Sequence, residues 1–385
     1  MRKRIAVIME GRVGYEREVL LGIREFAARQ TDWVLRLELP GRNVRRFLND
    51  WKPDGVLYQS AGVSPSSLKA LCALSCPVVH VSDSSDELPV ACVGLDNSTI
   101  GQTAADYLCE RGCENFAFVG LRKAAFSNAR QLAFADRLRE TGRTVHSFIL
   151  PGNVWVLDRD TESRLKRWLK KLPKPTGLFA VHDECSLRLV TLCRDEGMTI
   201  PDDLAILGAD NDTLICELAE PRLSSIAVPS REVGRAAAER LAAFLSKNTR
   251  RNRKALLLKP TGVIARQSTD LNQTPNETVN RVLRFISAHF DQRLNVEEIL
   301  REVGVSRRAL ERLFKAHIGR SPLQELHRRR VEHAAHLLRS TNEPLHRIAG
   351  RCGFSDASQF VRLFRGRMGK TPGKYRMDLP RGTHD

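Results

Sequence analysis

Ile299-Leu300-Arg301-Glu302-Val303-Gly304-Val305-Ser306 and Ile348-Ala349-Gly350-Arg351-Cys352-Gly353-Phe354-Ser355 are two versions of one segment, 49 residues apart. In each, a helix with inward apolar residues ends at a Gly, an apolar residue follows, and a Ser precedes a second helix. The Gly supplies the positive φ that stops the first helix. The apolar residue fills the angle between the helices, and the Ser is placed to cap the next one. This is a helix-turn-helix, written twice. One copy is weak evidence, because helical hairpins with Gly in the turn are common. Two in register are strong.

The second helix of each unit is expected over Arg307–Ala316 and Asp356–Arg365. In a helix-turn-helix that element enters the major groove with its N-terminal residues at the base edges. Apolar spacing turns Leu310, Leu313 and Phe314 inward in the first unit, leaving Arg307, Arg308, Glu311 and Arg312 outward. In the second, Phe360, Leu363 and Phe364 go inward, leaving Asp356, Ala357, Ser358, Gln359 and Arg362. Arg takes guanine and Gln takes adenine through paired hydrogen bonds, so these residues are the expected DNA readers. Between the units, Ser321-Pro322 opens a long helix over Leu323–Arg339, with Arg328, Arg329 and Arg330 expected to be exposed and Arg328 to contact DNA. His327, His333 and His336 share that helix with no facing carboxylate, which favours solvated or phosphate-contacting histidines over a metal site.

Charge supports a polyanionic partner. The chain of 385 residues carries a net +17. Residues 276–385 hold 22 Lys+Arg against 12 Asp+Glu, whereas the preceding 275 residues hold 40 against 33. The surplus is several times denser at the C-terminal end, as a double-stranded DNA partner requires. Residues 277–376 resemble the DNA-binding domain of the AraC/XylS family, through Gly353-Phe354-Ser355, Phe360, Phe364 and the closing Gly369-Lys370-Thr371-Pro372-Gly373-Lys374-Tyr375-Arg376. That resemblance implies an all-α double helix-turn-helix module, an activator, and RNA polymerase as a further partner.

The region before it has another period. Val-rich runs such as Ile5–Met9, Gly55–Tyr58, Pro77–Val81, Val90–Leu95, Phe116–Gly120, Leu178–Val181, Leu204–Leu207 and Ser225–Val228 alternate with helical stretches. Buried strands alternating with helices indicate an α/β architecture with parallel sheets. About 260 residues suit two lobes better than one sheet. Residues 266–275 are polar and aperiodic and are expected to link residues 1–265 to residues 276–385. Thr274-Pro275-Asn276-Glu277 is then a helix start, with Thr as cap and Pro at the first position.

In open α/β folds ligands bind beyond the C-terminal ends of the strands. Asp96-Asn97, His182-Asp183 and Asp210-Asn211 each follow a strand and can bridge the hydroxyls of a polyol. Arg130 can supply donors, and Trp155 a ring face. Each has a plainer alternative: Asx residues in such places cap helices, Arg130 can pair with a carboxylate, and Trp155 can belong to a core. Ile206-Leu207-Gly208-Ala209-Asp210-Asn211, followed by Leu223-Ser224-Ser225-Ile226, resembles the effector domain of LacI-type repressors, which share the fold of periplasmic sugar-binding proteins. The resemblance implies ligand contacts at Asp210, Arg130 and the His182 position, where that family more often has Asn. With a LacI-like sensor ahead of an AraC-type module, the chain resembles regulators of pentose use, and that resemblance implies xylose as effector.

The totals narrow the function classes. No Gly-rich phosphate loop, nucleophile elbow or metal-ligand spacing occurs, so no enzyme activity, cofactor or metal is expected. The apolar run before Glu10 is five residues, too short for a secretory leader, and no run reaches membrane-span length. A transport receptor is therefore disfavoured. Nine cysteines without a CxxC pair fit reduced thiols in the cytoplasm. A homodimer is expected, because paired modules on repeated half-sites gain affinity by avidity. A DNA-binding protein responding to another ligand, or to none, is the alternative.

Overall fold

The computed structural model describes residues 2–29, 32–41, 43–59, 65–81, 90–152, 157–246, 254–271, 274, 276–341 and 343–377. Two units separate at the junction of Thr269 and Asp270.

The first unit opens with β1 (Lys3–Ile8), α1 (Gly14–Ala28), β2 (Trp33–Glu38), α2 (Val44–Trp51), β3 (Gly55–Tyr58), α3 (Pro65–Cys72), β4 (Val78–His80) and β5 (Ala91–Leu95). It continues with α4 (Asn97–Glu110), β6 (Asn115–Leu121), α5 (Ala125–Arg139), β7 (Val145–Leu150), α6 (Arg159–Lys171), β8 (Thr176–Ala180), α7 (Asp183–Asp195), β9 (Leu204–Asp210), α8 (Thr213–Leu218) and β10 (Ser224–Ala227). It closes with α9 (Ser230–Leu245), β11 (Leu256–Leu258) and β12 (Gly262–Ile264). The strands form two six-stranded sheets, ordered β11-β5-β4-β3-β1-β2 and β12-β10-β9-β8-β6-β7. All pairings are parallel except β10 with β12. The central strands are buried on both faces, which is why their sequences are continuous apolar runs.

Each sheet is the centre of one lobe. Phe116, Phe118, Phe134 and Phe179 pack ring against ring in the second. The chain crosses between lobes three times: from β5 into α4, from β10 into α9, and from β11 into β12. These crossings are tied to one another. Asp96 N donates to Leu258 O at 2.8 Å and Thr261 N to Ala227 O at 2.9 Å. Such triple crossings make a hinge about which two rigid lobes open and close.

The stretch expected as a linker starts inside this unit. Ser268 and Thr269 are fully buried, and the Ser268 hydroxyl donates to Ile206 O at 2.6 Å. Their polar side chains satisfy groups in the sheet, so polarity here signals a buried network rather than a solvated link.

The second unit is helical: α10 (Glu277–His289), α11 (Val296–Val303), α12 (Arg307–Ile318), α13 (Pro322–Ser340), α14 (Leu345–Arg351), α15 (Ala357–Met368) and α16 (Pro372–Met377). Two cores share α13. Leu326 packs with Val282, Ile286, Leu310 and Phe314 in one, while Val331, Ala334 and Leu338 pack with Ile348, Phe360 and Phe364 in the other. At the changeover Arg330 is buried and donates to Phe290 O and Gln292 O, both at 2.8 Å. It therefore closes the end of α10 and does not face solvent, contrary to the expectation for the Arg328–Arg330 run.

Two helix starts also differ from expectation. Asn276, not Thr274, caps α10, its side chain accepting from Val279 N at 3.1 Å. Ser306 caps α12, but Asp356, not Ser355, caps α15, accepting from Ser358 N and Gln359 N at 3.0 Å. The repeat thus shifts from an offset of 49 to one of 50 within the second turn, with Ser355 as the extra residue. Beyond it the match continues: Gly319 and Gly369 both end their helices in the left-handed conformation, and Ser321-Pro322 corresponds to Thr371-Pro372.

Candidate effector site and nucleic-acid interface

Arg130 comes from the first turns of α5 and is 3% exposed. A guanidinium so deep needs its donors matched. Nε donates to Asn97 Oδ1 at 2.7 Å, one terminal nitrogen to Val181 O, and the other to Asp210 Oδ1 at 3.3 Å. Phe126, one turn earlier, lies under the guanidinium with its ring centre 5.3 Å away. Arg130 therefore joins the C-terminal ends of β8 and β9 to the first turn of α4, beside a hinge crossing. Asn97 and Asp210, expected together from sequence, are brought together by this one side chain.

Asp210 has φ 98° and Asn211 φ 51°, both left-handed, which turns the chain sharply out of β9. Burial pushes the Asp210 carboxyl up, and the Arg130 charge opposes that. Asn211 points elsewhere: its Oδ1 accepts from Arg266 at 3.0 Å. Asp183 has no exposed surface, and its Oδ2 accepts from Asp212 N at 2.8 Å. Burial and the neighbouring Asp210 push the Asp183 carboxyl well above the usual value. Asn211 and Asp183 thus brace the turn behind Asp210.

His182 caps α7, with Nδ1 3.1 Å from Cys185 N and 3.2 Å from Glu184 Oε2. Burial works against the charge on Glu184, but His182 and the Gly14 amide hold its carboxyl below the ordinary value. Asp96 caps α4, accepting from Thr99 N at 2.9 Å and from the Thr99 hydroxyl at 2.7 Å. Its plainer reading is the one seen. Trp155 lies outside the described residues. Glu184 and Phe126 were not singled out in the sequence; the i−4 spacing of Phe126 from Arg130 and the acidic first turn of α7 were the signals available.

In the second unit Arg308 and Arg312 are exposed along α12, and Arg307 is exposed but paired with Glu311 at 3.1 Å. On α15, Ala357, Ser358 and Arg362 are exposed and Gln359 is half-buried. Asp356 is exposed and caps α15, and the backbone N–H groups it accepts hold its carboxyl below the usual value. Ala357, Ser358, Val361, Arg362, Arg365 and Gly366 line a surface groove along this helix. In the corrected register Arg312 corresponds to Arg362 and Lys315 to Arg365. Arg328 is 14% exposed and bound to Glu325 and Glu332, not to solvent.

A model of the periplasmic binding protein-like domain matches residues 105–269, and a helix-turn-helix domain model matches residues 299–378. The xylose operon regulatory protein of Escherichia coli K12 is 29% identical, over 97% of this chain and 97% of its own. The chain is similar to the xylose operon regulatory proteins over nearly its whole length. That of Haemophilus influenzae is 26% identical over 97% of this chain and 98% of its own. A solved structure of the xylose-binding transcription activator xylR covers 98% of both chains at 28% identity, with a TM-score of 0.72. The chain is thus a DNA-binding transcription regulator whose binding-protein-like sensor precedes its helix-turn-helix domain. Among the described residues, no helix of the regulator is long and apolar enough to cross a membrane, and no group of three or more His, Cys, Asp or Glu could hold a metal.

Proposed function

We propose that the regulator senses a pentose, D-xylose first, at Arg130 and Asp210, and activates genes for its use. The observation that carries this is the buried junction of Arg130, Asn97 and Asp210 at the strand ends of a chain similar throughout to xylose operon regulators. A carboxylate with an adjacent guanidinium offers acceptors and donors to neighbouring sugar hydroxyls, and Phe126 offers an apolar face. The sugar closes the hinge on itself. Because α8 begins three residues after Asp210, closure also moves Leu214 and Leu218, which are 67% and 70% exposed.

Those leucines, with Leu35 and Leu37 of edge strand β2 and Leu39 just beyond it, support a homodimer. A change in dimer geometry then alters how two helix-turn-helix modules meet an operator. Coupling of about 1–3 kcal/mol gives a 5–150-fold response. Arg308 and Arg312 of α12, and Ser358, Gln359 and Arg362 of α15, read successive major grooves about 34 Å apart. RNA polymerase is the partner an activator requires, and the cytoplasm is where both partners reside.

Thermal unfolding against a panel of pentoses and hexoses tests the reading. Xylose should raise the midpoint, and Asp210→Ala should abolish the rise. No shift with any sugar overturns the sensor reading, and a shift with a hexose alone replaces xylose.

A further inference from the structure

Asp212 lies two residues beyond Asp210 and faces the other lobe. Its Oδ2 accepts from Arg17 of α1 at 2.8 Å, joining residues 195 apart in sequence. The Asp212 side chain is 7% exposed and that of Arg17 46%. The backbone of α1 presses on the same carboxylate: a Cβ on Gly14 would stand 2.3 Å from Asp212 Oδ2. Nearby, the Gly14 amide is among the groups that hold the Glu184 carboxyl of α7 below its ordinary value. A carboxylate of the second lobe therefore meets the first turn of a helix in the first lobe, where unsatisfied N–H groups favour negative charge.

Asp212 is fixed within its own lobe. Oδ1 accepts from Leu214 N at 3.1 Å and caps α8, while its backbone N–H is held by Asp183. The only residue between Asp210 and Asp212 is Asn211, itself tied to Ser225 and Arg266. Asp210 and Asp212 consequently move as one body. A crevice lined by Gly14, Arg17, Asp210, Asp212 and the hinge residues Val228 and Ser230 lies at this junction.

We propose that the Arg17–Asp212 pair, packed against Gly14, is a latch that holds the lobes together before any effector binds. It rests on the effector reading only where it predicts sugar affinity: the latch carries part of the work of closure, so a sugar at Asp210 meets lobes already drawn together. Arg17 and Asp212 are positioning residues that act through the 210–212 turn.

Hydrogen exchange on the full, ligand-free chain tests the latch directly. Arg17→Ala should speed exchange about two- to fivefold, the range of a half-exposed ion pair, in peptides over 181–186 and 210–216 of the opposite lobe. Asp212→Asn, which keeps an oxygen to cap α8, should do the same over 12–18 of the first lobe. Faster exchange confined to the lobe carrying the substitution overturns the proposal. Xylose affinity should fall by a similar factor in each variant and no further in the double variant. Additive losses would make the two residues independent and overturn the latch. Cross-lobe exchange effects in a protein that binds no pentose keep the latch and overturn only the pentose reading.

Discussion

Arg130 Nε lies 2.7 Å from Asn97 Oδ1, inside the lobe and next to a hinge crossing. This bond makes Arg130 part of the scaffold before it is part of any recognition. Lys in its place has one compact cation where three acceptors are spread around a planar fork. Arg130→Lys should therefore lower stability by about 3 kcal/mol, because Asp210 and Asn97 lose a buried partner. Calorimetry without sugar checks this, and an unchanged midpoint would make Arg130 a ligand contact alone.

Acid should loosen the helical unit through Glu325. This side chain is 1% exposed and bound by Arg320, Arg328 and Arg329, with Arg329 also reaching Asp270. Burial opposes its charge, but the arginines hold its carboxyl down to about 2. A lowered folded value means the contribution is complete above the unfolded value of about 4.5 and fades as pH falls toward 2. Urea midpoints followed by exchange protection in α10–α13 should drop over that window in the parent chain. Glu325→Gln should be weaker at neutral pH and nearly flat below pH 4.5.

The two turn glycines should not be equally replaceable. Both have positive φ, 67° at Gly304 and 73° at Gly353. A Cβ at Gly304 meets nothing within 4 Å, whereas one at Gly353 would stand 2.4 Å from Gln292 O and 2.6 Å from Phe290 O. Gly304→Ala should cost about 1 kcal/mol from backbone strain alone. Gly353→Ala should cost at least twice that, since the backbone carbonyls held by Arg330 must shift. Equal losses in thermal unfolding would contradict the close approach.

Salt dependence should separate the readers of α12 from its bystanders. If Arg308 and Arg312 each neutralise a phosphate, removing both with Ala should reduce the slope of log affinity against log salt by about 2. Arg362→Ala should cost about 1–3 kcal/mol and relax preference at one base pair if it reads an edge. Fluorescence anisotropy at several salt concentrations measures both. Unchanged slopes would move the interface off α12.

Much of this was legible in the sequence, and the omissions have physical causes. Central strands such as β3 and β8 are buried on both sides, so their apolar runs stand out. β2 and β7 are edge strands with exposed residues along them, and polar residues (Arg36 in one, His146 and Ser147 in the other) interrupt their apolar runs. Three consecutive residues on a helix span about 200° of its circumference, so Arg328, Arg329 and Arg330 could not all face water. Asp210 and Arg130 were expected as neighbours in one site from the α/β rule and a resemblance to known sensors, and their side chains do meet. The roles of Asn211 and Asp183 were hidden because residues around a sharp turn point in different directions, and only the fold shows that Asn211 bonds to Arg266 and Asp183 to the Asp212 amide.

Arg330 sits where α13 passes from one core to the other, with its fork on the first and the ring of Phe354 in the second 5.7 Å from its charge. The two reading heads thus have the rigidity of a calliper whose span is set by a single helix. Such an instrument forgives a wrong letter more readily than a wrong distance. One base pair added between the segments it measures would rotate the second segment by about a tenth of a turn of the duplex. The operator should therefore vary in sequence but keep its helical phase.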